Sequence, residues 1–187
     1  MKRTIKLAGL LSAIPVIAAG LTVNEPGQFD GTVELWQNAP IGQSFVAVEG
    51  KIKAISLSLL DACPCGYPGD GTMVLVLRRG EGVFSGPIVA KFANFSLPVD
   101  DPDSGWTDWI SEEGVPVVVG KTYTIEIVVG TPRWQARASD RFDDFYPDGS
   151  IWSGDEAYGG DFRFRVLSGL PVRDVPRGTS GKDGVGQ

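Results

Sequence analysis

Apolar and polar side chains alternate along most of the chain between residues 42 and 166. A period of two residues is the pattern of a β-strand that buries one face. It is clearest at residues 55–59, 122–127 and 162–166, whereas residues 73–78 are apolar on both faces until their end, which is typical of an inner strand. Further strands, each bounded by glycine, proline, aspartate or serine, are predicted at residues 43–48, 88–95, 107–110, 115–119 and 134–138.

This spacing of strands predicts an all-β fold. We expect an antiparallel, two-sheet β-sandwich of the jelly-roll kind, with about nine strands, in one domain over residues 42–166. A chain of 187 residues, 42% of them apolar, has enough material for one core of this size. No segment after Val23 keeps an apolar period of 3.6 residues, which argues against βαβ architectures and nucleotide-binding folds.

The amino terminus has the pattern of an export signal. Three basic residues stand within the first six positions, and the apolar run 7–17 that follows ends in Ala-Ala-Gly. We predict a signal peptide at residues 1–20. A membrane anchor is the alternative, but the apolar stretch of about 17 residues from Leu7 to Val23, interrupted by Pro15, is short for a span. The predicted mature protein is therefore extracellular or at the cell surface, with no membrane span.

The segments that flank the predicted domain have less pattern. Residues 21–41 are predicted to be a linker or a first strand, and residues 167–187, rich in glycine and proline, a flexible tail.

The two cysteines of the chain, Cys63 and Cys65, stand in a loop between predicted strands. A local disulfide or two thiols is the first interpretation, and a redox or metal site is the alternative.

Charge and composition argue against several classes of function. The formal net charge is −6, and loss of a leader that holds three bases and no acid makes the mature chain more acidic still. An acidic protein is a poor partner for nucleic acid or anionic lipid. The chain has no histidine, which removes the commonest general base and the usual zinc ligand.

A series of short motifs stands in a familiar order. The motifs are Gly42-Gln43-Ser44-Phe45 and residues 55–59, 71–77, 105–109, 119–125, 146–152 and 160–164. This order resembles the jelly-roll accessory domains of secreted bacterial and phage proteins, which are similar to carbohydrate-binding modules and galactose-binding-like sandwiches. The resemblance implies a sandwich over residues 42–166 that binds sugars, mediates adhesion or acts as a spacer.

Aromatic side chains with polar neighbours suggest a sugar-binding surface. A pyranose ring packs on a flat aromatic face while carboxylates hold its hydroxyls. The predicted ligand-binding residues are Trp134, Tyr146, Asp148, Trp152 and Tyr158. The alternative is that these rings cap the core. Trp106 and Trp109, near a strand start, are expected in the core or on a sheet face.

The most acidic segment spans residues 140–161 and holds seven acids against one arginine. Such charges repel one another unless they are solvated, hydrogen-bonded or neutralised by a cation. Oxygen ligands favour calcium, and the predicted ligands are Asp155, Glu156 and Asp161, with Asp70 from another loop. A solvated acidic loop is the alternative.

Three functions remain open. The first is a non-catalytic exported module that binds a glycan or surface polymer. The second is a structural or adhesive protein that assembles on a cell surface or virion. The third is a small glycosidase using Asp143 or Asp148 with Glu156 as its carboxylate pair. Any acidic loop offers such pairs by chance, so we predict the binding module, with no catalytic residues.

Overall fold

The computed structural model describes residues 20–23, 31–61, 72–96, 106–130, 134–139 and 144–169. This part of the chain forms antiparallel strands and no helix, so it holds no helix that could cross a membrane. The strands are β1 (Gly20–Val23), β2 (Gly31–Glu34), β3 (Ile41–Val46), β4 (Lys51–Leu57), β5 (Leu59–Asp61), β6 (Thr72–Arg79), β7 (Ile88–Ser96), β8 (Thr107–Pro116), β9 (Thr122–Val129), β10 (Trp134–Ala138), β11 (Ile151–Ser153), β12 (Glu156–Ala157) and β13 (Phe164–Leu167). The predicted all-β, antiparallel sandwich is confirmed.

The strands form three sheets. A six-stranded sheet has the order β12-β11-β3-β9-β6-β7, a four-stranded sheet the order β1-β13-β4-β8, and a three-stranded sheet the order β2-β10-β5. The two smaller sheets meet at Ser58, which separates β4 from β5. Its N–H donates to the Arg163 carbonyl at 3.0 Å, and its carbonyl accepts from the Arg137 N–H at 2.9 Å. They therefore make one nearly continuous layer against the six-stranded sheet.

The core lies where inward-facing side chains of the two layers meet. Phe45 and Tyr123 stack with ring centroids 6.1 Å apart, and both are fully buried. The Tyr123 hydroxyl accepts from the Val118 N–H at 2.9 Å, so the phenol keeps a polar partner despite its burial. Burying side chains of this size contributes about 1.5–3 kcal/mol each to folding.

Several strands differ from the prediction in extent. β10 has the predicted bounds. Residues 107–110 and 115–119 were predicted as two strands, but β8 joins all of the first and the first two residues of the second into one strand. Gly114 allows this, because its φ of +76° suits glycine and a register shift opposite, between Ile52 and Ala54, accommodates the irregularity. The jelly-roll connectivity stays a prediction.

Two strands of the amino-terminal flank belong to the sandwich. Residues 21–41 were predicted as a linker or a first strand, and β1 and β2 both lie there or at its edge. β1 pairs with β13 and β2 pairs with β10, so the paired structure begins before residue 42. The two cysteines, Asp70, the proposed leader up to residue 19 and the tail from residue 170 lie outside the described residues.

Candidate functional site

The connection between β6 and β7 crosses the outer face of the six-stranded sheet. Val83 in this connection is fully buried, and its N–H donates to the Gly154 carbonyl at 3.0 Å. A Cβ atom at Gly42 would lie 2.8 Å from the Val83 Cγ1 atom, which is closer than side chains tolerate. Gly42 therefore leaves the space on the sheet into which Val83 packs.

Phe84 follows Val83 and is the most exposed large apolar side chain in the described residues, at 62%. Its N–H donates to Asp155 Oδ1 at 3.3 Å. Its ring edge lies 3.3 Å from the position that a Cβ atom of Gly154 would occupy. The ring is thus held against the turn between β11 and β12 while most of its surface stays open to solvent.

Trp152 lies on the same outer face. In β11 it is in register with Gly42 of β3 and with Ala157 of β12. Its Nε1 donates to Ser44 Oγ at 3.0 Å, and that oxygen also accepts from the Ser150 N–H at 2.9 Å. The hydrogen bond holds a partly exposed indole in one position. We call Trp152, Phe84 and Asp155 the Trp152 surface.

Two of the predicted ligand-binding rings are core residues instead. Trp134 and Tyr146 are 6% and 9% exposed and pack in the central apolar cluster. The Tyr146 hydroxyl accepts from the Val46 N–H at 2.9 Å, and its ring packs edge-on against Phe164 at 5.8 Å. Burial raises the pKa of Tyr146. Neither ring offers an open face to a sugar.

The other predicted ligand-binding residues are at least partly exposed, but Trp152 and Tyr158 do not share one face. Asp148 is exposed, and Tyr158 is 43% exposed. Trp152 pairs with Ala157, so the side chains of these two residues point to the same face of the hairpin. Because side chains alternate along a strand, Tyr158, the next residue, points to the opposite face. Trp152 and Tyr158 therefore do not form the shared platform that the sequence suggested.

Asp161 has a structural role that its sequence position did not reveal. Its side chain is fully buried, where Oδ1 accepts from Gln43 Nε2 at 2.9 Å and Oδ2 accepts from the Phe145 and Tyr146 N–H groups at 3.1 and 2.9 Å. Burial raises the pKa of Asp161 from 3.8 to about 6, although these hydrogen bonds act in the opposite direction. Both carboxylate oxygens accept hydrogen bonds from N–H donors inside the protein, so this side chain is not an exposed calcium ligand.

Of the remaining predicted calcium ligands, the structure describes two. Asp155 and Glu156 are exposed at the β11–β12 turn, and Asp70 lies outside the described residues. Within the described ranges, no group of three or more Asp, Glu, Cys or His could hold a metal ion. Of the proposed glycosidase pair, Asp148 and Glu156 are exposed and Asp143 lies outside the described residues. Calcium binding stays a prediction.

Phe84, Gly42 and Ser44 were not predicted as site residues from the sequence. Phe84 lies in a loop where apolar and polar residues do not alternate, so the sequence gives no sign of its position. Only the structure shows that its ring packs against Gly154. Gly42 and Ser44 were noted only as part of a motif. A Gly-x-Ser at alternate positions of a strand does indicate that one face of that strand is closely approached.

No protein-family model matches the chain, and the search of curated proteins finds no match either. The case for a function therefore rests on the geometry of the described residues.

Proposed function

We propose that the protein is a non-catalytic, exported module that binds a glycan or surface polymer through the Trp152 surface. The observation that carries this proposal is the ring of Phe84, held on the hairpin turn with most of its area in solvent. Single exposed apolar side chains are common on proteins. Phe84 differs because its backbone is bonded to the hairpin on which its ring rests.

The chemistry of the Trp152 surface suits a saccharide. The apolar faces of pyranose rings pack on aromatic side chains, and hydroxyl groups need acceptors nearby. Phe84 and Trp152 supply aromatic area, and Asp155 supplies a carboxylate beside it. Because the strands and hydrogen bonds hold these groups before a ligand arrives, little conformational entropy is lost on binding.

Phe84→Ala in the whole chain tests this proposal. We expect the purified protein to bind glycans on an array, run with and without calcium, and Phe84→Ala to weaken that binding by about tenfold or more, as the loss of a stacking ring does. The matched control is Ile110→Ala, which removes a 47% exposed apolar side chain from β8 in the other layer. Its binding should equal that of the unmodified protein.

A folded sample that binds no glycan would contradict the proposal and favour a structural or assembly role. If Phe84→Ala and Ile110→Ala weakened glycan binding equally, the Trp152 surface would not be the binding site. Both side chains are exposed, so neither change should lower the melting temperature by much. A calcium requirement would show that the acidic residues at the hairpin take part.

A further inference from the structure

The two most exposed aromatic side chains among the described residues are Phe84 and Trp36, at 62% and 50%. Phe84 lies in the connection between β6 and β7, and Trp36 lies in the connection between β2 and β3. Each of these connections is hydrogen-bonded to the turn between β11 and β12. Two exposed rings are therefore carried by segments that meet at one short turn.

Hydrogen bonds hold the backbone around Trp36. Leu35 is fully buried, and its N–H donates to the Trp134 carbonyl at 3.1 Å. The Ala39 N–H donates to the Trp36 carbonyl at 3.3 Å, which closes a tight turn. Trp36 is thus anchored through its neighbours on both sides while half of its surface stays in solvent.

The β2–β3 connection is bonded to the hairpin turn at two points. The Gly154 N–H donates to the Pro40 carbonyl at 2.8 Å, and Ser153 Oγ donates to the Asn38 carbonyl at 3.3 Å. The carbonyl of the same glycine accepts from the Val83 N–H of the β6–β7 connection. Gly154 therefore links the segment that carries Trp36 to the segment that carries Phe84.

The two connections approach the turn from different sides. Side chains alternate along β11, so Ser153 faces the same side as the buried Ile151, whereas Trp152 faces outward. The bond from Ser153 to Asn38 places the β2–β3 connection at the inner side of the hairpin, at the end of the sandwich. Phe84 packs against the turn from the outer face of the sheet. A ligand that contacts both connections must pass over the turn.

We propose that Trp36 is a second aromatic contact for the ligand of the Trp152 surface, and that this surface selects a chain of several sugar units over a single terminal sugar. The inference rests on the proposed function. One aromatic ring packs on one pyranose ring, and the hairpin turn separates Phe84 from Trp36. A chain bound at one ring holds its next units near the other ring, so the second contact is effectively intramolecular.

The surroundings of Trp36 also suit a sugar chain. Gln37 is exposed beside it, and its amide can donate to and accept from hydroxyl groups. The hydrogen-bonded turn fixes the backbone before the ligand arrives, so less conformational entropy is lost on binding.

Size ladders of sugar fragments test the inference. The probes are fragments of cellulose, amylose and chitin, from disaccharides to octasaccharides, titrated into the whole chain by calorimetry. We expect affinity to rise by about tenfold or more from the shortest to the longest fragment, because only a longer chain reaches the second ring. Trp36→Ala should remove most of that rise and leave the affinity for the shortest fragment unchanged. Trp36→Phe, which keeps an aromatic ring, should retain part of the rise.

The matched control is Val119→Ala, which removes a 58% exposed apolar side chain from the connection between β8 and β9. This connection is bonded to Ala47, beyond the opposite end of β3 from the hairpin turn. The control should bind every fragment as the unmodified protein does. Melting temperatures of all variants separate lost binding from lost folding.

Three results would overturn the inference: binding that does not depend on fragment length, a loss in Trp36→Ala that is the same for short and long fragments, or equal binding of long fragments by Trp36→Ala and Val119→Ala. Failure of the proposed function looks different. In that case no fragment binds, or Phe84→Ala binds every fragment as tightly as the unmodified protein, and the inference fails with it.

Discussion

At the scale of single residues, Asp161 joins its own segment to two others, of which one is 118 positions away in the chain and the other 15 to 16 positions away. Its carboxylate bonds to Gln43 of β3 and to the backbone of Phe145 and Tyr146. The Gln43 amide is bound in turn, since its Oε1 accepts from the Phe162 N–H at 2.8 Å. Removing the carboxylate would leave buried donors without acceptors, which is costly.

The titration of Asp161 predicts how stability depends on pH. Because burial raises the pKa of this carboxyl from 3.8 to about 6, the folded protein keeps a proton that the unfolded chain releases. The stabilisation from the Asp161 carboxyl is complete at pH values below its pKa in the unfolded chain. It is lost as the pH rises through the pKa of this group in the folded protein. At roughly 1.4 kcal/mol per pKa unit, we expect its contribution to the free energy of unfolding to fall by up to about 3 kcal/mol over that interval.

Urea denaturation of the protein and of Asp161→Asn, across this pH interval, measures that contribution. Asparagine does not titrate, so the variant should lose this part of the pH dependence. It should also be less stable throughout, because its NH₂ group faces N–H donors. Asp148→Asn, at an exposed position, is the control. If the free energy of unfolding depended on pH with the same slope in the protein and in Asp161→Asn, the pH dependence could not be assigned to Asp161.

The sequence could not predict the role of Asp161, and the reason is physical. An aspartate in an acidic stretch has the same local pattern whether it is solvated or buried. Burial depends on Gln43, which is 118 positions away. Trp134 and Tyr146 show the same limit, because aromatic side chains with polar neighbours suit both a binding surface and a core.

At the scale of elements, the packing of the β6–β7 connection on β3 depends on the absence of a side chain at Gly42. A Cβ there would lie 2.5 Å from the Ile125 carbonyl oxygen as well as close to Val83. The backbone of β9 cannot move without disturbing the sheet. The connection and the strand are therefore fitted to each other.

Gly42→Val should displace the connection and loosen Phe84. We expect the free energy of unfolding to fall by about 1–3 kcal/mol, because overpacking forces a backbone shift. Hydrogen exchange at the Val83 amide should become faster, since its bond to Gly154 weakens. The control is Gly50→Val, because nothing lies within 4 Å of a Cβ atom at Gly50. Unchanged exchange at Val83 in Gly42→Val would contradict the role of this contact.

Strand prediction succeeded where alternation was long enough to read. β9 and β10 were found because five or more residues alternate and buried positions recur. β11 and β12 have three and two residues, too few for a period to be recognised. The hairpin that these two strands form carries Trp152 and Asp155 of the Trp152 surface. Both residues were predicted as site residues from the sequence, but the hairpin that holds them was not.

At the scale of the molecule, β1 closes one edge of the four-stranded sheet. It pairs with β13 along its whole length, and Leu21 packs against the core. A chain that begins at Gly20 should therefore be more stable than one that begins at Asn24, which lacks this strand. We expect a difference of about 1–3 kcal/mol, mainly from lost apolar burial.

Thermal melting of the two shortened chains measures this difference. The chain that begins at Asn24 should melt several degrees lower, and the chain that begins at Gly20 should match the full chain if residues 1–19 act as a leader. Equal melting temperatures for both shortened chains would show that β1 adds nothing to stability. The first 19 residues lie outside the described structure, so the comparison with the full chain tests the sequence prediction alone.

The pairing of β1 with β13 also determines how the molecule responds to force. Gly20 is in register with Leu167, so the two ends of the described chain leave from the same end of one antiparallel ladder. Tension applied between them loads the hydrogen bonds of that ladder one after another, as in a zipper, instead of shearing them together. Such a ladder yields at low force. The ladder between β1 and β13 is therefore the mechanically weak point of the described fold when tension is applied between these two ends.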